Sequence, residues 1–319
     1  MPKMKYALGV DLGGTFIKIG IVNEKGKILK KAEIESKAKE GPKDVVKQLY
    51  KVIKLILSDN RYKIEGIGIG SPGMVNAKKG IVENPPNFPG WDKVNLKKLI
   101  QKEFGIPTEI ENDANAAAVG ELIYGSGKKL KSFIMVTLGT GVGGGIIFNK
   151  KIYRGDTGAA GEVGHITIDY NGEPCNCGSV GCIEAYIGNN YLIQRIKKEL
   201  RKHPESAVLK LVEGDLKKIT PRIIHEASLL DDKFANWVIG DTGTKLGHAL
   251  ASVVNVLDIA NVIIGGGVAG FGELLFRSAE HSIKERVLIP IKPRIRVYPA
   301  KLKNEAGIKG ASALVFYKS

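Results

Sequence analysis

A chain of 319 residues, 43% of them apolar and 25% charged, carries enough hydrophobic sequence for more than one core; this excludes a disordered chain or a staple-dependent miniprotein and points to two domains. The opening Met1-Pro2-Lys3-Met4-Lys5 lacks the apolar stretch of a secretory leader and no run reaches membrane-spanning length, so a cytoplasmic protein without a membrane partner is expected. A net charge of +15 would suit a polyanion binder, but the lysines (Lys25, Lys27, Lys30, Lys97, Lys128, Lys197 among them) are spread along the chain and interleaved with Glu, as on a solvated surface, and no nucleic-acid partner is expected.

In chain order, apolar runs end repeatedly in glycine clusters and are followed by helical patterns, the layout of an α/β protein. Helices are predicted near 44–57, 95–104, 114–124, 188–202, 232–257, 271–287 and 304–317; in the first, Val45, Val46, Leu49, Val52, Ile53 and Ile56 share a face. An internal echo stands out. Val10-Asp11-Leu12-Gly13-Gly14-Thr15 opens a segment whose second apolar run ends at Asn23, and Val136-Thr137-Leu138-Gly139-Thr140-Gly141 opens one ending at Asn149 at the same separation. Each reads as strand, glycine turn and strand, so two related α/β halves, each starting with a hairpin, are expected.

Glycine turns let a backbone approach a phosphate and point N–H groups at it, because no Cβ intervenes. Three such turns occur, at Asp11–Thr15, Leu138–Gly145 and Ile264–Val268, and none has the Gly-Lys-Ser/Thr of a P-loop. The spacing Gly-x-Gly-x-x-Gly occurs at Gly68/Gly70/Gly73, Gly139/Gly141/Gly144 and Gly265/Gly267/Gly270. After the first, Met74 to Gly80 reads as a hairpin; after the second, another strand follows. Only the third lies between a strand and a helix, and it lacks the acidic residue of a dinucleotide site, which leaves an NAD enzyme as a distant alternative.

Glu111-Asn112-Asp113-Ala114-Asn115 joins an apolar segment to a helix, where an Asp is either a catalytic acid or simply the helix cap. The only cysteines, Cys175, Cys177 and Cys182, lie in one short loop behind His165, an odd count that favours a metal over disulfides. Three thiolates and an imidazole form a plausible closed zinc tetrahedron, structural in role because no position is left for water.

Taken together, these motifs resemble those of the ROK family (repressors, open reading frames and kinases), in particular its bacterial-type glucokinases, over nearly the whole chain. The segments that carry the resemblance are Asp11–Thr15, Gly68–Gly73, Glu111–Asn115, Leu138–Gly145, and Gly161-Glu162-Val163-Gly164-His165 with Cys175–Glu184. Many members carry Lys directly after Gly-Gly-Thr; here Phe16 follows and Lys18 stands two residues on.

The resemblance implies an actin-like, hexokinase-like (ribonuclease H-like) fold: duplicated α/β domains around a cleft, a small one from 1–115 plus the helix at 304–319 and a large one from 116–303. It implies ATP-dependent phosphorylation of a hexose 6-hydroxyl, glucose foremost, with N-acetylglucosamine, N-acetylmannosamine, mannose or fructose as alternatives and polyphosphate as an alternative donor. Asp113 would be the general base and, with Asn87, Asn112, Glu162, His165 and Glu184, would bind the sugar. Asp11 would orient Mg²⁺, the amides around Gly13, Gly14, Thr15, Gly139, Thr140 and Gly141 would hold phosphates, and Gly266 and Gly267 would lie near adenosine. His165, Cys175, Cys177 and Cys182 would hold structural Zn²⁺, with His165 also facing the sugar. A homo-oligomer, dimer or tetramer, is expected. A sugar-responsive repressor is the other reading, but a helix-turn-helix would need sequence ahead of Asp11 for which there is no room.

Overall fold

The computed structural model describes residues 4–59 and 61–317. Two sheets carry the same plan. The first contains β1 (Tyr6–Leu12), β2 (Phe16–Asn23), β3 (Ile28–Glu35), β4 (Ile64–Ser71) and β8 (Thr108–Asn112), in the order β3-β2-β1-β4-β8. The second contains β9 (Phe133–Leu138), β10 (Val142–Phe148), β11 (Lys151–Tyr153), β12 (Asn261–Gly265) and β13 (Arg296–Pro299), in the order β11-β10-β9-β12-β13. In both, strands three, two, one, four and five of the set follow one another across the sheet. β1 pairs parallel with β4 and β4 with β8, as β9 does with β12 and β12 with β13. The internal echo is therefore a repeated topology. Between β4 and β8 lies a small antiparallel sheet of β5 (Met74–Asn76), β6 (Ile81–Glu83) and β7 (Lys93–Asn95), which contains the hairpin expected after Gly73.

The chain divides into two compact units. One comprises residues through Lys131, then Gly145–Gly161, then Lys301 onward; the other comprises Ser132–Gly144 and Glu162–Ala300. The boundary expected after Asn115 would divide α3 (Asp113–Tyr124), whereas the first unit continues past it. The residues of α3 explain why: Ala114 through Leu122 are all buried, so the helix has no solvent face at which a domain could end.

The first unit's core is built from the inward residues of β1, β2 and β4 (Leu8, Val10, Ile17, Ile19, Ile67, Ile69) against α1 (Pro42–Leu57) and α2 (Leu96–Phe104). On α1 the buried residues are Val45, Leu49, Val52, Ile53 and Ile56, the periodic face of the sequence. The last helix, α10 (Ala306–Phe316), covers the opposite face, packing on β1, β4 and α3. Sterics require its small partners: a Cβ at Gly9 or Gly68 would overlap the carbonyl oxygen of Ile308 or Ala311.

In the second unit, α4 (Glu184–Ile187) and α5 (Asn189–Leu200) follow the cysteine loop, then α6 (Ala207–Leu211), α7 (Pro221–Ser228), α8 (Lys233–Leu257) and α9 (Glu273–Arg286), with α8 and α9 packed together. The two short helices α6 and α7 are not among the predicted ones; they are capped by Ser206 and Thr220, whose side chains accept from Val208 N and Ile223 N. No helix among the described residues is long and apolar enough to cross a membrane.

Candidate active site and metal centre

In the first unit, three neighbouring parallel strands end together. The register aligns Asp11 with Gly70 and Gly70 with Glu111, so Asp11 and the Glu111–Asp113 segment lie at the same edge, two strand spacings or about 10 Å apart. The carboxyl ends of parallel strands are where α/β sheets bind ligands. Burial raises Asp11 above the usual carboxylate range, and Lys18, its register partner on β2, opposes that shift. Lys18 is thus a compensating charge for Asp11.

The glycine turn after β1 is closed by Gly13 N–H donating to Phe16 O at 3.0 Å, and a Cβ on Gly13 would lie 2.8 Å from that oxygen. Fully buried Ser36 holds the turn from outside: its hydroxyl donates to Gly14 O at 2.8 Å and its N–H to Thr15 O at 2.9 Å. Gly14 faces the 84–91 loop, with Asn87 Cβ at 3.5 Å from where its own Cβ would stand. That loop is anchored: Phe88 and Trp91 are buried in edge-to-face contact, and Trp91 Nε1 donates to Val82 O at 3.2 Å. Asn87 itself is in the left-handed region (φ 68°), which asparagine tolerates better than most residues.

The cap of α3 is Asn112. Its Oδ1 accepts from Ala114 N at 2.9 Å and Asn115 N at 3.2 Å, and its Nδ2 donates to Gly73 O at 3.1 Å. Asp113 is therefore the first helical residue, its Oδ1 accepting from Ala114 N at 2.7 Å, and the capping explanation for an acid at this position passes to its neighbour. Asn112 keeps one amide hydrogen uncommitted by these bonds.

The second unit gathers the other candidates. Glu184 opens α4 and turns its carboxylate onto the second glycine turn, where Oε2 accepts from Val142 N at 2.8 Å and occupies the space a Cβ on Gly141 would need. Beyond the adjoining residues, no heavy atom among the described residues lies within 4 Å of where a Cβ would stand on Gly139 or on Gly267. Beside them is a cavity of ≈ 360 Å³, within the range of small-molecule pockets, lined by Gly139, Thr140, Asn189, Thr220, Arg222 and Gly267 among others. Gly266, at φ +91°, forms the turn that brings Gly267 there, and a Cβ on it would overlap Leu138 O. Asn189, Thr220 and Arg222 carried no signal in the sequence, because they come from α5, the cap of α7 and α7 itself, outside the glycine turns.

His165, Cys175, Cys177 and Cys182 bring one ligand atom each to within 4.8 Å of one another. Cys175 Sγ is 3.8 Å from His165 Nδ1 and Cys177 Sγ is 3.7 Å from Cys182 Sγ. A zinc tetrahedron with bonds of about 2.3 Å to sulfur has edges of about 3.8 Å, so the spacing fits the ion. The loop is a built knuckle: Gly178 N–H donates to Cys175 O at 3.0 Å, Cys175 N–H to Ser179 O at 2.8 Å, and Asn176 N–H to the hydroxyl of Tyr191 on α5 at 3.0 Å. Burial pushes the Cys175 thiol up to about 12 and also raises Cys182, while the Ser179 N–H lowers Cys177. Three such thiols ionise together only beside a cation, which is what this chemistry asks of a metal. Glu162, at the start of the same segment, is raised by desolvation of its carboxyl, with His165 opposing and Glu184 reinforcing the shift.

Against known proteins, the sequence pattern of the ROK family matches residues 7–318. The chain belongs to the ROK family. ROK relatives include the glucokinase of Thermotoga maritima, 35% identical over 99% of this chain and 98% of its own length. The xylose repressor of Caldicellulosiruptor bescii is 32% identical over 97% of this chain and 77% of its own length. Among solved structures, a ROK family glucokinase from Streptomyces griseus in complex with glucose and AMPPNP has a TM-score of 0.84 at 34% identity, covering 97% of this chain and 98% of that one. The actin-like, hexokinase-like class expected from the motifs is the fold of this ROK chain.

Proposed function

We propose that this ROK protein is an ATP-dependent sugar kinase that phosphorylates the 6-hydroxyl of a hexose, with glucose the preferred substrate. The glucokinases among its relatives support the reaction class, and the glucose and AMPPNP in the S. griseus complex support the substrate pair. The observation that carries the reading is the division of labour at β8–α3. Asn112 caps the helix, so the Asp113 carboxylate stands at a strand-end edge shared with Asp11 without being the cap.

In phosphoryl transfer little covalent work falls to the protein; positioning and charge neutralisation dominate. Asp113 is assigned to accept the proton of the attacking hydroxyl, and the amino end of α3 favours an anionic side chain at that place. Asn87, Asn112, Glu162, His165 and Glu184 are assigned to the ring hydroxyls. A sugar lacking one hydroxyl would leave a buried partner unpaired, which is the source of selectivity. Glu184 would act partly through the backbone, since one of its oxygens already fixes the second glycine turn. Asp11 would hold Mg²⁺, whose charge neutralises the phosphates when bound. The turns at Gly13, Gly14 and Thr15 and at Gly139, Thr140 and Gly141 would receive the phosphates, and the cavity beside Gly267 the adenosine. His165, Cys175, Cys177 and Cys182 would hold zinc in a structural role.

The test is steady-state kcat/KM for glucose, mannose, fructose, N-acetylglucosamine and N-acetylmannosamine with ATP, and for glucose with polyphosphate. Glucose with ATP is expected to rank first; failure to phosphorylate any hexose would remove the kinase reading. Gly14→Val offers a second check. The turn tolerates a Cβ there, so the fold survives, but the γ methyls fill the space before Asn87 and Phe88. A clash of about 1–3 kcal/mol predicts roughly 10–100-fold weaker ATP binding, with a smaller loss for glucose because Asn87 borders the same space. Equal losses for both ligands in titration calorimetry would contradict the assignment of this turn to phosphate.

A further inference from the structure

Glu111 is a carboxylate with no place in the scheme above, yet it is only 1% exposed. A buried acid needs a partner, and it has one: Arg154 Nε donates to Glu111 Oε2 at 2.7 Å. An ion pair that only satisfied its own charges would end there. The other oxygen of Glu111 is committed elsewhere, because Oε1 accepts from Asn112 N at 3.0 Å and from Asn115 Nδ2 at 3.2 Å. These two residues flank Asp113, so the carboxylate grips the chain on both sides of it. Arg154 is fixed in turn. It follows β11, whose Ile152 N–H donates to the Tyr317 hydroxyl at 2.8 Å, and its own carbonyl accepts from Ala160 N at 3.1 Å.

We infer that Arg154 and Glu111 are positioning residues for the base: Arg154 orients the Glu111 carboxylate, which sets the peptide carrying Asn112 and Asp113. This rests on the reading of Asp113 as general base. The pair is also reachable from solution, because Glu111 and Arg154 line a cavity of ≈ 400 Å³ together with Lys78, Lys97, Glu109 and Tyr317. A small cation can therefore take the place of a truncated Arg154 side chain.

The experiment measures kcat, both KM values, thermal midpoint and active-site concentration for Arg154→Ala, Arg154→Lys, Glu111→Gln and Asp113→Asn, with and without ethylguanidinium at constant ionic strength. A misplacement of the base of about 1 Å predicts a fall in kcat of roughly 10²-fold in Arg154→Ala, with the ATP KM little changed. Saturable recovery of kcat by ethylguanidinium, and none by an equal concentration of sodium, is expected. Arg154→Lys should lose less than Arg154→Ala, since it keeps the charge but not the planar Nε donor. If Arg154→Ala does not fold, Arg154→Lys and Glu111→Gln carry the test, and kcat within about threefold of the parent in both would overturn the inference. A loss explained wholly by fewer active sites, without rescue, would make the pair structural and also overturn it. Asp113→Asn separates the two ideas: full activity in that variant sinks the base assignment, whereas an inactive Asp113→Asn beside an unimpaired Arg154→Ala sinks only the positioning role.

Discussion

Asp113→Asn is expected to lower kcat by about 10²–10⁴-fold, the usual worth of a general base, while hexose affinity changes little. The substitution keeps the shape of the side chain and its Oδ1, which can still accept from Ala114 N, and it leaves the cap untouched because Asn112 supplies it. What is lost is the capacity to take a proton. A coupled ADP assay gives kcat and titration calorimetry with glucose gives affinity; the melting temperature should move by no more than a few degrees. A variant with near-parental kcat would remove Asp113 from the mechanism, and a variant that no longer binds glucose would assign it to substrate binding instead.

Zinc removal should produce the other large effect. Elemental analysis is expected to return about one zinc per chain, and Cys177→Ser to release it. Cys177 is the exposed one of the three cysteines, so the change opens no cavity in the core and its consequences can be assigned to the metal. Structural zinc contributes roughly 10–16 kcal/mol of apparent binding free energy in small peptides, and less where the surrounding fold persists without it. Persistence is expected here in part, since the knuckle retains its own turn bonds and its anchor on Tyr191. If His165 binds sugar as proposed, the kinetic consequence is a raised hexose KM with the ATP KM nearly unchanged, because His165 turns Nδ1 toward Cys175 and Nε2 is the nitrogen that would face the sugar. A zinc-free Cys177→Ser enzyme with an unaltered hexose KM would separate the loop from the sugar site and withdraw His165 from it.

The sequence by itself determined what local chemistry determines. Glycine turns, the cysteine knuckle and the amphipathic stripe of α1 are written within a few residues of themselves, because a positive φ, a metal-ligand spacing or a 3.6-residue period is a local property. The duplication was legible for the same reason: each half repeats its own strand–turn–strand segment. The tertiary structure alone decided what depends on residues distant in the chain. It assigned the cap to Asn112 rather than Asp113, which needed the hydrogen bonds of both side chains and the Gly73 carbonyl. It also carried the first unit through α3 to Lys131, because a helix of small residues buried on every side has no period to read. Glu111 looked like one more acid in a polar run; only the arrival of Arg154, 43 positions later and on another strand's flank, explains how its charge can be buried. Asn189, Thr220 and Arg222 meet Gly267 in one cavity solely through the packing of the second unit. Interactions of that kind are set by which surfaces must leave water together, and a single sequence does not record which of its segments will become neighbours.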